Sequence, residues 1–398
     1  IVAALAMLIA VEGGHQAALM APTEILAEQH ASVLRDLMEG LGVNIVFLVG
    51  GMPAKQRHDR QVEIASGAAQ IVIGTHALIQ DDVDFSNLGF AVVDEQHRFG
   101  VAQRAQLQKK GTCPDVLVMT ATPIPRTLAL TVYGDLDVSV LDELPPGRQP
   151  IETKWVPDTE RQEIYSSIRE EIGRGRQAYV VCPLVDESEK LDLKAATEMA
   201  NYLQEQKFPE LRISLIHGQM KSVEKDAVMH AFKNAESDIL VSTTVIEVGI
   251  DVPNATIMVI EQAERFGLAQ LHQLRGRIGR GTNASRCLLI TSSDPDNPNA
   301  DDTFRRLEVM AGTQDGFIIA DEDLKIRGPG EFLGTRQHGL MGLKIADLVK
   351  DSAQLHAARE AAFRIVNLDH DLAHPEHHVI RKGLARQYSD GATWTAMG

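Results

Sequence analysis

The chain reads as α/β: two consecutive domains, each a parallel sheet with helices on both faces, followed by a mainly helical C-terminal segment. Three observations predict this. Short apolar runs alternate with amphipathic or polar stretches up to about residue 293, the pattern of strands joined by helical crossovers rather than by hairpins. The alternation is broken at Leu144-Pro145-Pro146-Gly147-Arg148-Gln149-Pro150, where three prolines remove backbone donors and fix φ, excluding helix and central strand. Beyond Asp294 the apolar runs stop, and helical stretches are interrupted by Arg327-Gly328-Pro329-Gly330. The expected division is a first domain at 1–144, a linker at 145–150, a second domain at 151–293 and a helical segment at 294–398.

In chain order, Ile1 to Val11 is apolar almost all round and predicts a buried helix, stopped by Gly13-Gly14. Gln16 to Met20 predicts a strand ending in Ala21-Pro22-Thr23-Glu24, with a helix following through Leu37. Val43 to Val49 is a strand, Pro53 to Ser66 a polar helix, and Gln70 to Ile73 a strand ending in Gly74-Thr75-His76. Phe90 to Val93 and Val116 to Met119 are the next strands, the latter running into Thr120-Ala121-Thr122-Pro123. After the linker come strands at Gln177 to Val181, Ile213 to Ile216, Asp238 to Val241, Ala255 to Ile260 and Cys287 to Thr291, with helices at Leu193 to Gln206 and Lys221 to Lys233. In a parallel sheet the carboxyl ends of all these strands lie on one edge, where open α/β sheets bind ligands.

Composition narrows the chemistry. The chain has 398 residues, 44% of them hydrophobic, as in ordinary globular protein. Its net charge of −16 lacks the usual basic footprint of a nucleic-acid binder, although a groove can be locally positive on an acidic protein. Cys113, Cys182 and Cys287 are widely spaced and form no Cys-x-x-Cys pattern, which argues against a disulfide framework or zinc site and for a reduced, cytosolic setting. The opening apolar run is too short to span a bilayer and has no basic segment before it, so neither membrane anchor nor signal peptide is expected.

Phe90-Ala91-Val92-Val93-Asp94-Glu95-Gln96-His97 organises the rest. A buried strand running into two acids delivers both to the ligand-binding edge, and the pair suits nucleotide hydrolysis. Asp94 can hold Mg²⁺ through its water shell, and Glu95 can orient the water that attacks a γ-phosphate. Gln96 and His97 follow, placed to sense the phosphate or a neighbouring domain. The same residues also describe a strand ending in a solvated acidic turn, so the remaining motifs decide.

Those motifs, in order, are Ala21-Pro22-Thr23, Gly74-Thr75-His76, Asp94 to His97, Thr120 to Pro123, Thr243-Thr244 to Gly249 and Asp251, and Gln273-Leu274-Arg275-Gly276-Arg277-Ile278-Gly279-Arg280. Together they resemble the core of superfamily II helicases and translocases, in which two RecA-like domains of the P-loop NTPase type close on ATP, with nucleic acid lying across both. A closer resemblance, to the bacterial RecG family of ATP-dependent DNA helicases, is carried by Val93 to Val101 (VDEQHRFGV), Met119 to Leu128 (MTATPIPRTL), Tyr133 to Arg148 (YGDLDVSVLDELPPGR) and Ile326 to Gly339 (IRGPGEFLGTRQHG). His338 stands where that family more often has serine.

The resemblance implies the residue roles. Arg277 and Arg280 would reach the ATP phosphates, one of them as the arginine finger; Gly249 would let backbone approach the nucleotide, and Asp251 would bind its sugar or couple it to Arg277. Gln273, Thr120 and Thr122, with Gln96 and His97, would bind or couple nucleotide. Pro22, Thr23, Gly74, Thr75, His76, Thr243 and Thr244 would contact DNA phosphates, although a threonine at such a position also serves to cap a helix. Arg327, Gly328, Gly330, Arg336 and Gln337 would form the translocation motif. ATP and Mg²⁺ are the implied cofactors. The implied partners are branched DNA, at forks or junctions, and single-strand DNA-binding protein. The implied setting is a monomer in the bacterial cytoplasm, associated with the nucleoid and engaged in fork reversal, Holliday junction processing, recombination and repair.

No Gly-x-x-x-x-Gly-Lys-Ser/Thr occurs; Gly218-Gln219-Met220-Lys221-Ser222 lacks the second glycine and the loop length. In the family this chain resembles, the phosphate-binding loop immediately precedes a helix like Ile1 to Val11, so the resemblance implies a chain that begins just after the loop, without the wedge domain, and that is inactive in hydrolysis by itself. Asp94 and Arg280 are expected to face each other across a cleft. Two other readings compete. A transcription-repair coupling relative would carry Asp-Glu-Glu-His where Gln96 stands here and would have an RNA polymerase-binding domain. A non-catalytic DNA-binding module with a vestigial nucleotide site would lack the loop lysine upstream. The histidine-rich stretch Asp369-His370-Asp371 to His377-His378 reads as a solvated turn rather than a metal site.

Overall fold

The computed structural model describes residues 1–95, 106–107, 109–121, 136–141, 143, 147–183, 189–244, 251–293, 301–328 and 351–387. Its contacts define two compact units, Ile1–Thr122 with Gly147–Ala311, which holds both sheets, and Pro123–Pro146 with Gly312–Gly398. Among the described residues no helix is long and apolar enough to cross a membrane.

The first sheet comprises β1 (Gln16–Met20), β2 (Ile45–Leu48), β3 (Ile71–Gly74), β4 (Leu88–Val93) and β5 (Asp115–Val118), in the order β2-β3-β1-β4-β5. Every neighbouring pair is parallel. The second comprises β6 (Ile151–Pro157), β7 (Gln177–Val181), β8 (Ile213–Ile216), β9 (Ile239–Ser242), β10 (Ala255–Ile260) and β11 (Ser285–Thr291), parallel throughout, in the order β6-β11-β10-β7-β9-β8. The expected fold class is therefore the observed one. The central strands β1, β7 and β10 are buried at every position, as strands covered on both faces must be.

The two sheets repeat one plan. The first sheet's order becomes the second's when β1 to β5 are replaced by β7 to β11, and β6 is the extra strand beside β11. The same polar lock closes both. Gln16, at the head of β1, donates from Nε2 to the carbonyls of Ile64 (3.0 Å) and Ala69 (2.7 Å), and Asn87 Nδ2 donates to Gly14 O. Gln177, at the head of β7, donates to Phe232 O (2.6 Å) and Ser237 O (2.8 Å), and Asn254 Nδ2 donates to Gly175 O. Gly14 and Gly175 turn the chain at φ +80° and +77°, values open to glycine at no steric cost. A glutamine at the head of each strand thus ties it to the carbonyls of the helix-to-strand turn, of which Ile64 O and Phe232 O also accept from the turn's own Gly67 and Ala235 N–H groups.

Helices α1 (Val2–Glu12), α2 (Glu24–Leu37) and α3 (Ala54–Ala65) belong to the first sheet. α1 packs on β1 and β4 through Ala3, Ala4 and Met7, but Leu5 is 57% and Ile9 70% exposed. The expectation of a wholly buried helix is corrected: one stripe is buried, and the opposite apolar side is uncovered among the described residues. The sequence reading also passed over β6 and helix α4 (Arg161–Gly173). β6 buries Ile151 and Thr153 and exposes Glu152 and Lys154, the alternation of a strand with one wet face.

The base of the second sheet is held by Glu171 in α4, which is 3% exposed. Its carboxylate accepts from Thr256 Oγ1 (2.6 Å), Arg174 Nη1 (2.9 Å) and Arg176 Nη1 (2.8 Å). In the second unit, Arg359 Nη2 donates to Leu136 O, and Asp369 accepts from the backbone N–H groups of Ala373 and His374 and pairs with His377 Nδ1 at 2.7 Å. These bonds, the His377 contact first, hold the Asp369 carboxyl down at about 2.

Burial works to raise the Glu171 pKa, but Thr256, Arg176 and Arg286 outweigh it and hold the carboxyl below its ordinary value. A depressed carboxylate stabilises the fold above the unfolded value of about 4.3 and loses that contribution as pH falls through its folded pKa. Glu171→Gln is therefore expected to cost about 1–3 kcal/mol at pH 7 in denaturant melts, with the difference from wild type shrinking below about pH 4. A difference that does not change with pH would remove the carboxylate's charge from the account.

Candidate functional site

β4 lies between β1 and β5 and carries Asp94 and Glu95 out at the carboxyl edge. Asp94 N–H donates to Met20 O (3.0 Å), which continues the ladder one residue past the strand. Both carboxylate oxygens of Asp94 are held: Oδ1 accepts from Glu95 N–H (3.0 Å) and Oδ2 meets His30 Nε2 at 2.7 Å. Glu95 has φ +52°, a left-handed conformation uncommon outside glycine and concentrated at functional sites. A carboxylate that is fixed yet 19% exposed offers the hard oxygen donor that Mg²⁺ takes in ones and twos alongside water, so these residues fit that ion.

The neighbouring loops emerge on the same edge. After β1 come Pro22 and Thr23, and Thr23 Oγ1 accepts from Leu26 N–H (3.3 Å) as the cap of α2. After β3 come Gly74, Thr75 and the exposed His76. A Cβ on Gly74 would stand 2.0 Å from Leu48 O, so close strand packing alone requires glycine there. Thr120 follows β5 and is exposed. In the second sheet Thr243 and Thr244 follow β9, and Thr243 is 1% exposed with its hydroxyl buried.

Arg277 and Arg280 follow the helix Leu268–Arg275, which also carries Gln273. Arg280 Nη1 lies 3.6 Å from Asp251 Oδ1, so the acid pairs with Arg280. Arg148 joins this cluster: burial, then the like charge of Arg280, lowers its pKa, with Asp251 opposing. The Tyr179 phenol nearby is pushed up by burial, against the pull of Arg277 and Arg280. Sequence reasoning gave Arg148 no site role, although it lies in the proline-rich break and closes the stretch Tyr133 to Arg148 that carries the family resemblance. It also left Arg275 without a role: that side chain is 3% exposed, donates to Met310 O (2.7 Å), and anchors the turn that presents Arg277 and Arg280.

The second sheet has its own acid at the position of Asp94. Glu261 ends β10 as Asp94 ends β4, its N–H donates to Val181 O (2.8 Å), and the next residue, Gln262, has φ +46° where Glu95 has +52°. There the resemblance stops. Arg161, at the start of α4, grips Glu261 with two parallel bonds (2.9 and 2.7 Å), and the acid's side chain is 6% exposed. A bidentate guanidinium neutralises this carboxylate and fills the place beside it.

Arg327 Nε pairs with the buried Asp323 (3.0 Å), and Gly328, at φ +74°, ends their helix. Gln96, His97, Thr122, Gly249, Gly330, Arg336 and Gln337 lie outside the described residues. A cavity of about 560 Å³ lined by Ala6, Ile9, His15, Gly89, Cys113 and Asp115 opens at the amino ends of β4 and β5, on the sheet edge opposite the acids.

Comparison with known proteins gives consistent matches along the chain. The model of the DEAD/DEAH box helicase family matches residues 1–131, that of the helicase conserved C-terminal domain residues 161–282, and that of "ATP-dependent DNA helicase RecG, domain 3, C-terminal" residues 313–398. ATP-dependent DNA helicase RecG of Synechocystis is 54% identical over 94% of this chain and 45% of its own length. The Pasteurella multocida protein of that name is 52% identical over 92% of the chain and 53% of its own length. The chain thus spans about half the length of the curated relatives it matches. A solved structure of RecG bound to a three-way DNA junction superposes with a TM-score of 0.72 at 47% identity, covering 89% of this chain and 45% of that one. Helicase Lhr of Mycobacterium smegmatis, at 18% identity and a TM-score of 0.53 over 74% of this chain and 42% of its own, shares the fold alone.

Burial raises the Glu261 pKa even against Arg161, and Arg161 is itself 27% exposed. Removing the guanidinium therefore leaves a buried acid that can take up a proton, and Arg161→Met should cost about 1–3 kcal/mol of unfolding free energy. Adding Glu261→Gln should restore part of that loss. Denaturant midpoints of the single and double variants measure both effects, and strictly additive losses would refute the coupling.

Proposed function

Because this chain belongs to the RecG family of ATP-dependent DNA helicases, we propose that it is the motor portion of a protein that uses ATP hydrolysis to move on branched DNA at forks and junctions. The observation that carries the proposal is the pair Asp94-Glu95 at the carboxyl edge of a buried parallel sheet, with both oxygens of Asp94 held in place. In this reading residues 1–144 and 151–293 are the two motor domains, and 294–398 carries the translocation segment. The protein acts as a monomer, with single-strand DNA-binding protein as a partner, in the nucleoid-associated cytoplasm.

Asp94 would hold Mg²⁺ through its water shell, and Mg²⁺ when bound neutralises charge on the phosphates. Glu95 would orient the attacking water. One of Arg277 and Arg280 would stabilise charge on the transferring phosphoryl group across the cleft, with Asp251 holding Arg280 between turnovers. Gln96, His97, Thr120, Thr122, Gly249 and Gln273 would sense or bind nucleotide. Pro22, Thr23, Gly74, Thr75, His76, Thr243 and Thr244 would meet DNA phosphates through hydroxyl and backbone N–H groups, contacts that hold position without reading sequence. Arg327, Gly328, Gly330, Arg336 and Gln337 would convert nucleotide state into movement.

These residues contain no phosphate-binding-loop sequence, so the tests belong in an intact protein that carries this chain together with such a loop. Glu95→Gln should abolish DNA-stimulated ATP hydrolysis while ATP still binds, since water orientation is lost and Asp94 still holds the metal. Steady-state turnover equal to wild type would take Glu95 out of the reaction. Arg280→Ala should lower kcat by roughly 10³-fold if Arg280 is the finger. A loss of only a few fold assigns the finger to Arg277.

A further inference from the structure

The bond between His30 and Asp94 has no part in the roles given so far. His30 lies in α2, two turns beyond the Thr23 cap, and its Nε2 stands 2.7 Å from Asp94 Oδ2. An ionised carboxylate only accepts, so His30 Nε2 is the donor. With Glu95 N–H on Oδ1, this bond leaves Asp94 a single orientation about its side-chain torsions. The pair is only partly buried, at 29% and 19% exposure, which leaves the outer face of the carboxylate open.

The second sheet supplies an internal control. Glu261, the positional equivalent of Asp94, is gripped by the guanidinium of Arg161, which cancels its charge and closes its surroundings. In the first sheet one imidazole N–H and one backbone N–H do the holding, which orients the acid without occupying the place where a cation would bind. Metal-binding carboxylates are themselves hydrogen-bonded in this way, and losing such a partner costs 10–100-fold in metal affinity or activity. The position of His30 adds a second property. α2 begins at the loop Ala21 to Thr23 on the carboxyl edge and is seated on the core by Ala27, Ala31 and Leu34, each at most 5% exposed. From Thr23 to His30 is about 10 Å at 1.5 Å per residue, so the two residues move as one rigid piece.

We propose that His30 is a positioning residue for hydrolysis: its Nε2–H sets the orientation of Asp94 for Mg²⁺, and α2 ties that orientation to DNA contact at Pro22 and Thr23. This rests on the proposed function of the site. The test uses the intact protein with His30→Ala and His30→Phe, which remove the donor at two side-chain sizes, and His30→Gln, whose amide nitrogen reaches the same position. Three quantities are measured: the Mg²⁺ dependence of fluorescent ADP binding, hydrolysis with and without forked DNA, and the Kd for that DNA.

Both donor-less variants should need about 10–100-fold more Mg²⁺ for half-maximal ADP binding and should lose most of the stimulation by DNA, with the DNA Kd within about twofold of wild type. His30→Gln should recover both properties. A wild-type Mg²⁺ requirement in His30→Phe overturns the proposal. So does a Gln variant no better than the Ala variant at equal thermal stability, because that pattern marks packing rather than a hydrogen bond. Wild-type protein that shows no Mg²⁺-dependent nucleotide binding would instead refute the function assigned to the site.

Discussion

Parallel strand pairing is the constraint on which the rest depends. Because β1, β3, β4 and β5 run the same way, Thr23, Thr75, Asp94 and Thr120 all leave the sheet at one edge although they are far apart in sequence. Pairing in this sense needs long crossovers, and the helices that provide them cover both faces and leave the central strands buried along their whole length. A site assembled in this way takes its precision from the core. Asp94 continues the ladder through its N–H to Met20 O, so the acid is placed by backbone before any side chain acts on it.

The repeat of one plan in both sheets separates what serves folding from what serves chemistry. Gln16 and Gln177, Asn87 and Asn254, Gly14 and Gly175 make the same bonds to the same kind of carbonyl in each sheet. Those residues stabilise the turn into the leading strand wherever the plan is used. The carboxyl edges differ. One acid is held by an imidazole with an open face, the other is sealed by a guanidinium, and the left-handed residue after each acid is the shared trace of the common turn. Strain kept at both positions, with an open acid at only one, indicates that the turn geometry belongs to the plan and the chemistry to the acid's partner.

The motif arginines divide in the same manner. Arg275, Arg277 and Arg280 look alike in the sequence, yet Arg275 is consumed by the fold, bonded to Met310 O in the interior, while Arg280 reaches Asp251 at 30% exposure. A buried arginine with its N–H groups satisfied gives the following turn a fixed origin, and the next two arginines depend on that origin. Arg148 enters their cluster from a distant part of the chain, which no spacing rule within the motif could have indicated.

The sequence by itself determined the parallel α/β class, most strand positions and the acids at the end of β4, because apolar runs of strand length and crossover helices are local, periodic signals. β6 escaped because its polar face breaks the apolar run, and α4 because its stripe is interrupted by charges that turn out to be the Glu171 network. The exposed side of α1 escaped because an all-apolar helix has no moment to say which face is covered. Only the tertiary structure decided that His30 holds Asp94, that Arg161 seals Glu261, and that Asp251 takes Arg280. Each of those contacts joins residues on different elements, so side-chain reach and direction, which exist only once the sheets are paired, select the partner.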